Sequence, residues 1–206
     1  SRFDRPLRCR GRLGLIVFAP EAADPEQQQH DQAEEHPAVN VVVDAERQLR
    51  AWGKALRVQV SILRAPGIYA ADRLPLERIK RGTPALIAED DSYTNHIHAD
   101  DLARLAWAAL FRGRSQRIYH AVDAHPLKMG DWFDHCADAF DLPRPPRVNR
   151  AEAEKVLSEA LLSFLRESRQ LSNARTTREL RLKYRYPASD DLLHEVKQAR
   201  GQMKLF

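Results

Sequence analysis

The segment VQVSILRAPGIY (residues 58–69) carries the strongest structural signal in the sequence. Residues 58–63 alternate apolar and polar side chains at the two-residue period of a half-buried strand, and Arg64-Ala65-Pro66-Gly67 breaks the alternation into a loop. A strand that ends in such a loop sets the frame for its neighbours. Upstream, residues 44–54 read as a helix with Ala45, Leu49 and Trp52 on one face, while the short apolar patch 39–43 is either a strand or the start of that helix. Downstream, a short helix over 74–80 is stopped by Gly82. An amphipathic helix over 99–111 has Leu102, Leu105, Ala106, Ala109 and Leu110 at helical spacing and Asp100 and Asp101 in its first turn, where the helix dipole favours acids. A strand over 118–122 follows. Next comes a helix over 127–140 with Met129, Trp132, Phe133, Cys136 and Phe140 turned inward, then helices over 151–165 and 190–198. Strands alternating with helices predict an α/β chain with a partly parallel sheet.

The start of the chain is different in character. Arg2, Arg5, Arg8, Arg10 and Arg12 form a basic arm, LGLIVF (13–18) fits a buried strand, and residues 20–38 read as loop, with Pro20, Pro25, Pro37 and a run of acids without a base. The expected division is an irregular arm and loop over 1–43 and a folded unit over 44–206. The whole chain has 206 residues, 43% hydrophobic and 30% charged, with a formal net charge of +4, an ordinary composition for a globular protein. No apolar run approaches the ~18 residues a membrane span needs. Cys9 and Cys136 cannot build a disulfide framework and fit a reducing compartment, so a cytoplasmic protein is expected. Cys136 is expected in the core and Cys9 as an exposed arm thiol.

Several chemistries lack their residues. The glycines form neither GxGxxG nor GxxxxGK[ST], so no turn in the sequence is shaped for a pyrophosphate. None of Tyr69, Tyr93, Tyr119, Tyr184 and Tyr186 has a Lys four residues on, and Ser61 and Ser92 sit in no nucleophile elbow. His96, His98, Asp100 and Asp101 could share a metal, but two spaced histidines fall short of a ligand set, and a helix cap beside packed histidines explains them as well. Arg166, Arg169, Arg175, Arg178, Arg181, Lys183 and Arg185 make a basic stretch that could grip phosphates. With no interleaved stacking aromatics except Tyr184 and Tyr186, beside Pro187, it reads as a solvated helix face, and nucleic acid is not the expected partner.

Five stretches, in order, resemble the C-terminal half of an extended short-chain dehydrogenase/reductase of the NAD-dependent epimerase/dehydratase type, and most resemble its atypical nucleoside-diphosphate-sugar epimerase-like branch. DAERQLRAWG (44–53) resembles the helix that follows the active-site Tyr segment. VSILRAPGIYAADR (60–73) is similar to the LRxxxIYGPGR strand and loop, and NHIHADDLARLAWAAL (95–110) to RIHxxDLxxxxxxAL. IYHAVDAHPLKMGDWFDHCADAFDLPRPP (118–146) resembles YNVxDxxP with its helix and proline turn, and SRQLSNARTTRELRLKYRYP (168–187) resembles RxxxNxRLxxELGxxxxYP. Together they cover about 150 of the 206 residues.

The resemblance implies a partial Rossmann-like, doubly wound sheet with a helix-rich, substrate-binding C-terminal part. It implies NAD or NADP as cofactor, its nicotinamide end passed by Ala65, Pro66, Gly67, Ile68 and Tyr69. Arg73, Asn95 and His98 would face a small-molecule substrate, a nucleotide sugar in the family's usual case. Ala70 stands where the family has Gly, and His96 where near relatives carry Arg. The Gly-rich loop and catalytic Tyr have no counterpart in this sequence, so no catalytic residue is assigned and the resemblance places that half outside this chain. Two functions compete: the substrate-binding half of an epimerase or oxidoreductase, and a non-catalytic, degenerate binding module. A sheet lacking half its strands would expose apolar faces, so the isolated chain is expected to dimerise or aggregate. Arg64 is expected to ion-pair at a strand end, and Asn173 and Arg175 to cap and pin the C-terminal segment.

Overall fold

The computed structural model describes residues 37–166 and 168–203. The expected arm, the strand at 13–18, most of the loop at 20–38 and Cys9 lie outside the described residues. The first described element is helix α1 (Pro37–Ala55), so the patch at 39–43 continues into the helix and is no strand. Its Glu46 is buried against the next element, strand β1 (Ser61–Arg64), whose four residues are all buried. After β1 the chain forms β2 (Gly67–Tyr69), α2 (Leu76–Lys80), β3 (Ala85–Leu86), β4 (Tyr93–Thr94), β5 (His96–His98) and α3 (Ala99–Arg112). Then come β6 (Arg117–His120), β7 (Leu127–Lys128), α4 (Met129–Ala139), β8 (Arg147–Val148), α5 (Arg150–Val156), α6 (Glu159–Arg166), α7 (Ala174–Leu180) and α8 (Ser189–Met203).

Strand hydrogen bonding runs in pairs. β1 lies parallel to β6 with Ile62 opposite Ile118 and Leu63 opposite Tyr119, and β2 lies parallel to β5 with Ile68 opposite Ile97. β3 and β8 are also parallel, and β4 and β7 are antiparallel. The partly parallel α/β architecture read from the sequence is therefore present, with its parallel pairs separated by helical crossovers as parallel strands require. Two strands escape the periodicity argument. Three-residue β2 and β5 are too short to show alternation, and β2 follows the Pro-Gly pair that reads as a turn.

Two apolar cores hold these elements. One gathers Leu63, Ile97, Leu102, Leu105, Tyr119 and Leu180 between β1, β5, β6, α3 and α7. The other centres on α4, where Met129, Trp132, Phe133, Cys136 and Ala137 pack with Tyr69, Ile79, Leu86, Tyr186, Leu192 and Leu193. Cys136 is fully buried, and burial pushes its thiol up, so it behaves as a small apolar residue. Burying each large aliphatic side chain here contributes about 1.5–3 kcal/mol.

The single helix expected over 151–165 is two. Leu157 is extended (φ −100°, ψ 151°), and Ser158 then starts α6 by accepting the Leu161 amide on its hydroxyl at 3.4 Å. A serine that satisfies an orphan helix donor can restart a helix in mid-segment. Helix α7 falls within the basic stretch 166–185 that reads as a solvated helix face, and it ends on Arg181 in a left-handed conformation (φ 51°). No helix among the described residues is long and apolar enough to cross a membrane.

Candidate functional site

In open α/β sheets ligands bind beyond the carboxyl ends of the strands. Here β1 leads into residues 65–67 and β6 into residues 121–126, and these segments lie side by side: the Ala121 amide donates to the Arg64 carbonyl at 2.7 Å. The amino-terminal ends of β2 and β5 meet these loops. The Gly67 amide donates to the Asn95 carbonyl at 3.2 Å, and the Asp123 amide donates to the His96 carbonyl at 2.7 Å. Gly67 is required there by close approach, because a Cβ would stand 2.7 Å from His96 Cδ2 and 3.2 Å from the Asn95 carbonyl.

Both candidate histidines are neutral. His96 is pushed down to about 4 by burial, stacked at 4.7 Å between ring centroids on Trp132. His98 is also lowered by burial, and its Nδ1 accepts the Asp100 amide at 3.1 Å, which caps α3. Tyr69 meets both edge-on, at 6.2 and 5.3 Å, and its hydroxyl donates to the Ala188 carbonyl at 3.4 Å. Burial raises the Tyr69 pKa, with Asp123 adding to the shift, so the phenol stays protonated. Asp101 is wholly buried and accepts the amides of Arg185 and Tyr186, which ties the C-terminal segment to α3. Among the described residues no three His, Cys, Asp or Glu side chains gather as a metal site would need.

Of the residues the sequence singled out, the structure brings together Gly67–Tyr69, Asn95 and His98 around this strand pair, with Ala65 buried just before it. Gly67 is exposed, and Pro66 and Ile68 are half-buried beside it. Asn95 is buried with both ends of its amide engaged: Nδ2 donates to the Arg169 carbonyl at 2.9 Å and Oδ1 accepts the Leu171 amide at 2.8 Å. Arg73 is exposed in a turn closed by its own amide on the Ala70 carbonyl at 2.9 Å. Arg64 does form an ion pair, with Glu46, and Asn173 and Arg175 do pin the C-terminal segment, donating to the Val122 and Ile118 carbonyls, although the Asn173 side chain makes no capping hydrogen bond to α7.

One site component was missed. A cavity of about 270 Å³ opens beyond β6, lined by Asp123, Ala124, Pro126, Gln170, Leu171, Ser172 and Asn173. Asp123 is 4% exposed. Burial pushes its carboxyl up to about 7, with Asp191 and Asp190 acting in the same direction against the His125 amide. That amide donates to Oδ1 at 3.2 Å, while the buried Oδ2 has no hydrogen-bond partner among the described residues. An Asp between a strand and a Pro reads as a turn residue, so local sequence offered no reason to separate it from other loop acids.

No protein-family model matches the sequence, and no curated protein does. Solved structures share its fold. Ninety per cent of the chain (TM-score 0.72, 23% identity) covers 66% of a functionally unknown conserved protein from Silicibacter pomeroyi DSS. A nucleoside-diphosphate-sugar epimerase from Pseudomonas aeruginosa matches 94% of the chain over 67% of its own length (TM-score 0.67, 17% identity). The Bordetella bronchiseptica enzyme WbmF, in complex with NAD+ and UDP, matches 93% over 60% of its length (TM-score 0.60, 12% identity). The chain thus has the Rossmann-like fold of the epimerase/dehydratase enzymes and spans 60–67% of the length of these three structures.

Proposed function

We propose that this chain forms the substrate-side part of an NAD(P)-dependent epimerase/dehydratase that acts on a nucleotide sugar. The observation that carries this reading is that the carboxyl ends of β1 and β6 lead into adjacent loops, residues 65–67 and 121–126, in a fold shared with a nucleoside-diphosphate-sugar epimerase along 94% of the chain. In this reading Ala65, Pro66, Gly67, Ile68 and Tyr69 pass the nicotinamide end of the cofactor. Gly67 is exposed between half-buried Pro66 and Ile68, an apolar run whose chemistry suits the face of such a ring. The sequence supplies no Gly-rich turn for the pyrophosphate, so these residues are assigned to the nicotinamide end only. The cofactor would supply reversible hydride transfer at a sugar carbon. Arg73 contacts substrate directly, whereas Asn95 and His98 shape the substrate side as positioning residues, since their polar atoms hold residues 169–171 and the start of α3. Tyr69, kept protonated by burial, packs and does not exchange a proton in the reaction.

A second reading, a non-catalytic binding module of the same fold, is favoured by the absence of any Tyr-x-x-x-Lys in the sequence. The two separate on NADH fluorescence, measured on the chain extended by about 150 residues encoded in phase upstream of Ser1, roughly one domain's length. The enzyme reading expects nicotinamide emission to change on binding and Pro66→Glu to weaken that binding about tenfold, a loss of about 1.4 kcal/mol. An in-phase stop just before Ser1, or no affinity in the extended protein, overturns it in favour of the binding module.

A further inference from the structure

The β1–β6 pair has two outer edges, and the described residues close one of them. Along β6 the carbonyls of Ile118, His120 and Val122 point away from β1. Each is answered from the segment around α7, by Arg175 Nη1 at 3.3 Å, Thr176 Oγ1 at 2.7 Å and Asn173 Nδ2 at 3.2 Å. Side chains that take up these carbonyls in turn leave no ladder there for another strand to join.

The edge of β1 differs. Val60 and Arg64 turn their carbonyls to β6, where they accept the Gln116 and Ala121 amides at 2.6 and 2.7 Å. Alternate residues of a paired strand direct their amides and carbonyls to opposite edges, so those of Ser61 and Leu63 point the other way. Among the described residues β6 is the one strand paired with β1. Yet this edge is not in water: Ser61 is 4% exposed, and Ile62 and Leu63 are 0% exposed. Buried backbone donors and acceptors are paired in folded proteins, so this row calls for a neighbouring strand. Val60 and Ile62 point the same way. Both are wholly buried on the face toward α1, where Gly53 approaches Val60, but they belong to neither apolar core described above.

Outside the described residues the sequence holds one run that fits, LGLIVF (13–18). It is uncharged, long enough to span four-residue β1, and apolar at every position, as a strand covered on both faces must be. The connection fits too. Helix α1 runs back against β1, because the Val58 amide donates to the Gly53 carbonyl at the turn between them and Glu46 in mid-helix meets Arg64 at the end of β1. Pro37 therefore lies beyond the carboxyl end of β1. A parallel neighbour of β1 ends on that same side, and residues 19–36, which can span up to about 60 Å, reach Pro37 with ease. Helix α1 is then the crossover that a parallel pair requires.

We propose that residues 13–18 pair with the open edge of β1 as a parallel strand, so that the sheet continues on that side within this chain. The pairing brings Ala19 and Pro20 out at the same carboxyl edge as residues 65–67, next to the candidate site. This inference rests on the sheet edge and does not depend on the cofactor reading.

The test is nuclear Overhauser NMR on the isotope-labelled full chain. The expected result is contact between the amides of Ser61 and Leu63 and the α-protons of residues 13–18 in the pattern of parallel strands, with slow hydrogen exchange at both amides. Leu15→Pro combined with Ile16→Pro, of which one must face β1, removes a ladder donor and should speed that exchange at least tenfold, whereas Gln28→Pro should leave it unchanged. If the doubly substituted chain fails to fold, the contacts in the unsubstituted chain decide alone. Contacts from a different segment, an antiparallel pattern, contacts arising only between labelled and unlabelled chains in a mixed sample, or no cross-strand contact at all would overturn the proposal. None of these readouts involves a nucleotide, so failure here and failure of the enzyme reading are separable.

Discussion

Arg64 and Glu46 meet in a buried, two-point ion pair, Nε to Oε1 at 2.9 Å and Nη2 to Oε2 at 3.0 Å, that locks α1 onto the end of β1. The Glu46 side chain is 4% exposed and that of Arg64 9%, so neither charge can fall back on water if the other is removed. Glu46→Ala should therefore destabilise the chain by about 3–5 kcal/mol in denaturant unfolding. The pair Glu46→Leu with Arg64→Met should recover part of that loss, because it removes both charges together. A single-variant cost below about 1 kcal/mol would show that the pair is solvated and does not anchor the helix.

Asp123 and His96 bias stability against pH in opposite directions. An unfolded Asp titrates near 3.9 and an unfolded His near 6.5. Asp123 sits at about 7 in the fold, so its contribution is fully present below about 3.9 and is lost as pH rises through about 7. His96 sits at about 4, so its contribution is present above about 6.5 and is lost as pH falls through about 4. Between about pH 4 and 6.5 the two slopes, each up to ~1.4 kcal/mol per pH unit, oppose one another. Thermal melts should show Asp123→Asn gaining stability as pH rises through that window and His96→Gln losing it. Identical slopes in the two variants would refute the assignment.

Gly67→Ala places a methyl 2.7 Å from the His96 ring, in a strand pair with no room to spread. The expected cost is about 1–3 kcal/mol, read as a lowered melting temperature. A neutral substitution would mean that β2 can move away from β5.

Asn95→Ala removes both hydrogen bonds that hold residues 169–171. Each is worth about 0.5–1.5 kcal/mol, and the stranded Leu171 amide adds its desolvation cost. Limited proteolysis should cut faster between residues 166 and 173 in this variant; an unchanged rate would show that other contacts hold the segment.

Self-association follows from apolar surface. Trp107 and Phe111 are 67% and 55% exposed on α3 with ring centroids 5.1 Å apart, and Trp52 and Leu56 are exposed at the end of α1. Sedimentation of the chain is expected to show dimers or larger species, with association weakened by Trp107→Ser. A monodisperse monomer at high concentration would contradict it.

The elements that could be read in advance were those with their own period. Helix α3 announces itself through Leu102, Leu105 and Ala109, and β1 through the alternation that begins at Val58, because burial on one face repeats every 3.6 or two residues along the chain. Residues 67–69 lie in register with 96–98 across the β2–β5 pair, a meeting of two family-like stretches that no local period announces. The split at Leu157–Ser158 was hidden, since a serine inside an amphipathic run looks like a polar-face residue until its hydroxyl is seen accepting a helix amide.

What the sequence determined by itself was therefore local: α/β alternation and the identity of the apolar faces. Tertiary structure alone decided which polar atoms are answered. Asn173 reaches the Val122 carbonyl across 51 residues of chain, and Asn95 reaches Leu171 across 76, so those groups are satisfied by partners no local pattern announces. Asp123, in an equally ordinary loop, is buried with one oxygen unpaired. The physical reason is that a hydrogen-bond partner is a matter of a few ångströms in space, which spacing along the chain does not encode.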